Sequence, residues 1–256
     1  MIKYYDIGIN LFTNSYKDEM KIINDARNAG VECILTGSSG RENELVNEFA
    51  KKHDVYGTAG IHPHEAENAT EKDFKRIEEI IKTNDKIIAV GECGLDYNRM
   101  FSEKKVQLTC FKRHIELAVK LDKPLFLHMR DADEDFIKCF EGYENICKKS
   151  VVHCYTSGRK TLEVLLEMGF YIGITGWICD ERRADELRNA VEIIPKERLL
   201  LETDSPYLTP RGRKLPRTNV PQNIVYVAQE LAKYMPLSEE EIISNAKKNT
   251  EDLFGI

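Results

Sequence analysis

The chain has 256 residues, 42% hydrophobic and 31% charged, which is enough to bury a core and too mixed for a disordered polymer. Lys and Arg total 37 against 43 Asp and Glu, and the formal charge of −6 excludes a protein that coats nucleic acid through bulk positive charge. Seven cysteines, an odd number with no C-x-x-C pair, exclude a disulfide framework and a four-thiolate zinc site and fit reduced, buried thiols in a cytoplasmic protein. No uncharged stretch exceeds twelve residues, and Met168 to Cys179, one of that length with three glycines, is short of the roughly 18 apolar residues that span a membrane. MIKYYDIGIN has no basic region followed by an apolar one, so no signal peptide is expected.

Eight short aliphatic or β-branched runs follow in chain order: Lys3 to Ile9, Val31 to Thr36, Val55 to Ala59, Ile87 to Glu92, Pro124 to His128, Ser150 to His153, Phe170 to Thr175 and Leu199 to Glu202. Their C-terminal ends lie 22 to 36 residues apart, room each time for a loop, a helix and a strand. The intervening segments have helical periodicity, as in Leu108, Phe111, Ile115, Ala118 and Leu121, and Gly30 and Gly169 stand where left-handed C-caps are expected. Gln222 to Met235 predicts a further helix, and Ser238 with Glu241 a capping box that opens the last one. The fold class that follows is α/β, an eightfold (β/α)8 TIM-like barrel formed by a single domain, residues 1–256, of the size usual for that architecture.

In such a barrel the reactive groups gather at the C-terminal ends of the strands. Polar residues stand at those ends: Asp6, His62 and His64, Glu92, His128, His153 and Asp204, including four of the six histidines. Imidazole and carboxylate are a ligand set for a divalent cation, and the joint placement of Glu92, His128, His153 and Asp204 points to one shared metal site. His62-Pro63-His64 could ligate metal, contact phosphate or shuttle a proton. His53 and His114 have charged neighbours and are expected at the surface, while Cys93 and Cys154 alternate away from the candidate ligands and are expected to pack. Trp177 is either a base-stacking platform or a loop anchor. Arg211, Arg213, Lys214 and Arg217 follow the eighth run and give an acidic protein a local anion-binding rim.

Several long phrases in order, DIGINL, AGIHPHEA, VGECGLDYNR, FLHMRDA, VVHCYTSG, YIGITGWICDERR and LLLETDSPYLTPR, make the chain resemble the TatD family of metal-dependent deoxyribonucleases, within the amidohydrolase-like barrels, over essentially its whole length. The resemblance implies a metal-dependent 3′ to 5′ exonuclease on single-stranded DNA and possibly RNA, at work in DNA repair or nucleic-acid turnover. It implies Mg2+ as cofactor, with Mn2+ or Zn2+ as alternatives that imidazole ligands favour. By position, Glu92, His128 and His153 match metal ligands, Asp204 the catalytic aspartate that also reaches metal, and His62 and His64 substrate-side catalytic histidines. Arg130 and the basic cluster are assigned to substrate binding. A cytoplasmic monomer is expected. The family's D-x-H-x-H opening is altered, with Gly8 and Asn10 at the histidine positions, and Val220 replaces the glutamate of R-N-E-P. The same barrel also hosts small-molecule amidohydrolases such as deaminases and lactonases, and could serve as a non-catalytic binding module.

Overall fold

The computed structural model describes residues 2–256. All eight expected strands form: β1 (Tyr4–Ile9), β2 (Val31–Leu35), β3 (Tyr56–Ala59), β4 (Ile87–Asp96), β5 (Leu125–Arg130), β6 (Val151–Val152), β7 (Tyr171–Ile174) and β8 (Leu199–Leu201). Helices between and after them include α1 (Glu19–Asn28), α2 (Gly40–His53), α3 (Glu71–Thr83), α4 (Lys104–Leu121), α5 (Asp133–Lys138), α6 (Glu144–Cys147), α7 (Arg159–Met168), α8 (Asp185–Arg188), α9 (Ile224–Leu231) and α10 (Glu239–Phe254). The hydrogen-bonding order of the strands follows their order in the chain, and the fold class is (β/α)8.

The helices start where local chemistry satisfies their first backbone N–H groups. Ser39 caps α2, Thr70 and Asp73 form a reciprocal capping box on α3, and the expected Ser238–Glu241 box opens α10. Gly30 and Gly169 have positive φ, as their C-cap placement requires. The helix expected from Gln222 to Met235 is shorter: a 3-10 turn over Pro221–Asn223 precedes α9.

The chain packs as two compact units. One comprises the residues to Ile34, Cys154–Glu167 and Tyr171–Ile256; in it β7 pairs with β8 in parallel, and Ile9 bridges to Ser205. The other, Leu35–His153 with Met168–Phe170, holds β3, β4, β5 and β6 as consecutive parallel neighbours. Phe111 of α4, Phe136 of α5, Phe140 and Phe170 form an aromatic core there, with successive ring centroids 5.0–5.6 Å apart.

β4 is longer than the run Ile87 to Glu92 implied. It continues to Asp96, buried at every position, and a bulge between Gly91 and Cys93 adds Glu92 opposite the Phe126–Leu127 step of β5. A bulge re-aims a side chain, here Glu92 at the strand end. Gly94 lies opposite His128 with φ +146, and a Cβ there would stand 1.9 Å from the His128 carbonyl oxygen. Only glycine lets the two strands approach this closely. Gly94→Ala is expected to cost about 3 kcal/mol or more through backbone displacement and an unfavourable φ. Urea unfolding of the variant checks this; wild-type stability would show that the close approach carries no constraint.

Candidate metal centre

Within the second unit, four consecutive strands deliver ionisable side chains to one place. The turn after β3 brings His62 and His64, β4 brings Glu92 and Asp96, β5 brings His128, and His153 directly follows β6. The strand positions explain the convergence. Glu92, Gly94 and Asp96 share parity on β4, His128 pairs in register with Gly94, and the His153 amide donates to the Leu127 carbonyl at 2.9 Å.

Glu92 Oε1 is the focus. His153 Nε2 lies 2.9 Å from it, His128 Nδ1 3.1 Å and His62 Nε2 3.3 Å. Among the described residues His62, Glu92 and His128 form a candidate metal group, with one ligand atom from each, all within 4.8 Å of one another. His62 was expected on the substrate side; here it joins the candidate ligands. Asp96 makes a second focus beside the first: its Oδ2 is 2.7 Å from His64 Nε2 and 3.3 Å from His128 Nε2, while its Oδ1 accepts the backbone N–H groups of Asn98 and Arg99. His128 therefore faces a carboxylate at each ring nitrogen.

The electrostatics follow from this packing. Burial alone would raise the Glu92 carboxyl, but His62 and His153 beside it and the hydrogen bonds from His128 and His153 outweigh burial and hold it well below the usual carboxylate range. Asp96 is likewise lowered, burial being overcome first by the bonds from His128 and His64. Burial pushes His62 down to about 4 against the opposing pull of Glu92. His62 is thus neutral at pH 7; its Nδ1 accepts from the His64 backbone N–H at 3.1 Å, which leaves the Nε2–H toward Glu92. For His128, burial works against the charged form, but Asp96 and Glu92 prevail and its pKa is raised. The ionised carboxylate of Glu92 is in the state that metal ligation needs, whereas His62 would have to move its proton from Nε2 to Nδ1, giving up the His64 N–H bond, and His128 to lose the proton that its carboxylates favour; the donor set of nitrogen and oxygen fits a divalent cation.

Asp96 escaped the sequence reading although it stands in the quoted phrase GECGLD. The period-two spacing of Glu92, Gly94 and Asp96 is the signal that would have found it. His114 was expected at the surface and is instead fully buried on α4. Its Nδ1–H donates to the Cys110 carbonyl at 2.8 Å, its Nε2 accepts the Ile61 N–H at 3.1 Å, and its ring lies 4.8 Å from that of Phe74. It thereby anchors the backbone residue that precedes His62. Gln107, also buried, accepts the Asp96 N–H at 2.9 Å and donates to the Asp96 carbonyl at 3.1 Å, which fixes the end of β4.

The other unit holds Asp204, in a left-handed conformation after β8. Its side chain accepts from Asn10 Nδ2 at 2.9 Å, and its N–H donates to the Gly8 carbonyl at 3.0 Å. The two positions where histidines were missing therefore orient this aspartate. Asp6 is fully buried and accepts from both the N–H and the Oγ1–H of Thr203, the residue before Asp204. Burial raises its pKa well above the usual range, chiefly against the lowering by these Thr203 bonds.

Of the expected basic rim, Arg211, Arg213 and Arg217 line a cavity of about 420 Å3 together with Trp177, Asp180 and Arg183. Lys214 lies in the same loop, outside that lining. Buried Asp180 answers part of the rim's charge: it pairs with Arg182 at 2.7 Å, Arg183 at 2.9 Å and Arg211 at 3.9 Å. The Arg183 guanidinium stacks on Trp177 at 3.9 Å, so the tryptophan is anchored by a residue that lines the same cavity. Arg130 ends β5, in register with Asp96.

A (β/α)8 fold with imidazoles and carboxylates at consecutive strand ends is the layout of a metal-dependent hydrolase. The chain belongs to the TatD related DNase family, whose profile matches residues 5–255. It is 39% identical over 259 residues to the 3′-5′ ssDNA/RNA exonuclease TatD of Erwinia amylovora, covering 98% of this chain and 100% of the relative. It is 36% identical over 258 residues to the protein of the same name from Escherichia coli K12, covering 98% and 99%. Among solved structures, a TatD homologue from Escherichia coli K12 superposes with a TM-score of 0.90 at 24% identity, covering 99% of this chain and 98% of that one. No helix among the described residues is long and apolar enough to cross a membrane.

Proposed function

We propose that this protein is a metal-dependent 3′ to 5′ exonuclease that hydrolyses phosphodiester bonds in single-stranded DNA and RNA. The observation that carries the reading is the convergence of three imidazoles on Glu92 Oε1, in a chain that matches nuclease relatives along its whole length. Glu92, His128, His153 and His62 would hold the cation; Asp204 keeps the role that the resemblance implies, the catalytic aspartate that would reach the metal and accept the water's proton. When bound, a divalent cation supplies charge to offset that of the phosphate and lowers the pKa of water. Mg2+ is the first candidate from the resemblance, and Mn2+ and Zn2+ follow from the imidazole-rich donor set.

The remaining roles belong to the chain's own side chains. Asp96 holds His64 by Nε2 and orients it toward the substrate, so that His64 contacts the scissile phosphate or protonates the leaving oxygen. Asn10 fixes the Asp204 carboxylate as a base. Arg130, Arg211, Arg213, Lys214 and Arg217 hold neighbouring phosphates; Asp180 limits the strength of that grip, as suits an enzyme that must release its product. A cytoplasmic monomer in DNA repair or nucleic-acid turnover completes the reading; all seven cysteines are free, as a reducing compartment allows.

Digestion of 3′- and 5′-labelled single and double strands, with Mg2+, Mn2+ or Zn2+ restored after chelation, tests substrate, polarity and cofactor together. Inert DNA and RNA alongside turnover of cyclic amides or esters would replace this reading with a small-molecule hydrolase. Asp204→Asn is expected to leave the fold intact and lower hydrolysis by about a thousandfold or more, as the loss of a positioned base and ligand implies. A near-wild-type rate in that variant would remove Asp204 from the mechanism.

A further inference from the structure

The loop after β4 presents Phe101 to solvent. At 66% exposure it is the most exposed large hydrophobic side chain among the described residues, and its neighbour Met100 is 43% exposed. The loop is nonetheless pinned at both sides of this pair. Before it, the N–H groups of Asn98 and Arg99 donate to Asp96 Oδ1 at 2.9 and 2.8 Å. After it, Ser102 is buried: its Oγ donates to the His64 carbonyl at 3.2 Å and accepts the Glu67 N–H at 3.0 Å, and its own carbonyl accepts from Gln107 at 2.8 Å. An apolar ring held outward on a fixed loop forgoes burial worth about 2 kcal/mol.

Its location gives that exposure a use. The Phe101 ring meets the His64 ring at 4.8 Å and 73°, His64 bonds Asp96, and Asp96 bonds His128 of the candidate metal group. A flat apolar surface therefore stands one side chain away from the carboxylate that orients the substrate-side histidine. Of the parts of a nucleotide, only the base offers a matching apolar face; sugar and phosphate do not.

We propose that Phe101 is a stacking platform for the terminal nucleobase, setting the position of the strand end relative to His64. The proposal rests on the nuclease reading above. A π-face accepts any base, so the platform gives grip without sequence preference.

The test compares the wild-type protein, Phe101→Ala and Phe101→Tyr on two 5′-labelled single strands, one with an ordinary 3′ nucleotide and one ending in a stable abasic residue, with Mg2+ and in parallel with Mn2+. On the ordinary end, Phe101→Ala is expected to lower kcat/KM by about 5- to 150-fold, mostly through KM, and Phe101→Tyr to restore it. On the abasic end the loss caused by Phe101→Ala should shrink to about twofold or less, because no base remains to stack. Equal losses on both strands, or no loss on either, would overturn the platform while leaving the nuclease reading intact. A wild-type protein that degrades neither strand would overturn the nuclease reading and the platform with it.

Discussion

Glu92→Ala is expected to abolish specific metal binding and to reduce hydrolysis by about three orders of magnitude or more. The reason is geometric. One carboxylate oxygen lies within 3.3 Å of nitrogens from His62, His128 and His153, so removing it takes away both a negative ligand and the point on which the imidazoles are aimed. Lewis-acid stabilisation of a transition state is worth several kcal/mol, and each 1.4 kcal/mol is a factor of ten in rate. Stability should move less, by about 1–3 kcal/mol, since His128 keeps Asp96 while His62 and His153 lose an acceptor. Metal content after dialysis, circular dichroism and single-strand digestion measured on one preparation separate these effects. A folded Glu92→Ala protein that keeps its metal and its rate would remove Glu92 from the centre; Glu92→Gln, which preserves shape and removes charge, should resemble alanine in activity.

The strands were legible because parallel strands covered on both faces appear as unbroken aliphatic runs, and the α10 cap because Ser238 and Glu241 satisfy each other locally. What escaped depended on partners distant in the chain. Gly91 and Gly94 interrupt the apparent run at Glu92, and only the approach of β5 carbonyls shows that these glycines keep β4 going to Asp96. Gly8 and Asn10 look like lost ligands until the Asp204 N–H and carboxylate are found bonded to them. His114 looked exposed beside Arg113, yet it follows Cys110 by four residues and Phe111 by three, and so lies on the buried face of α4. The basic rim was visible as charge, but not its partial neutralisation by Asp180, whose burial only the folded loop reveals.

Between pH 7 and pH 4 the wild-type protein is expected to lose about 3 kcal/mol of stability relative to His114→Gln. Burial pushes the His114 imidazole down to about 4 from an ordinary value of 6.5, despite the Cys110 carbonyl that favours its proton. The sign follows from linkage. Between 4 and 6.5 the unfolded chain binds a proton at this position and the folded one does not, so acid favours unfolding across that window, with no effect above it and a levelling below it. A shift of that size corresponds to about 3 kcal/mol at 1.36 kcal/mol per unit. Glutamine can keep an acceptor for the Ile61 N–H while removing the titration, so the wild-type minus variant difference in urea-derived stability isolates this one group from carboxylates that titrate in both proteins. His62 is also pushed down by burial, but it faces Glu92, whereas His114 meets no carboxylate among the described residues and is the cleaner reporter. A difference that stays flat from pH 7 to 4 would mean that His114 takes up its proton in the folded state. The Ile61–His114 bond would then break in acid without unfolding the chain, releasing the backbone that carries His62 and His64.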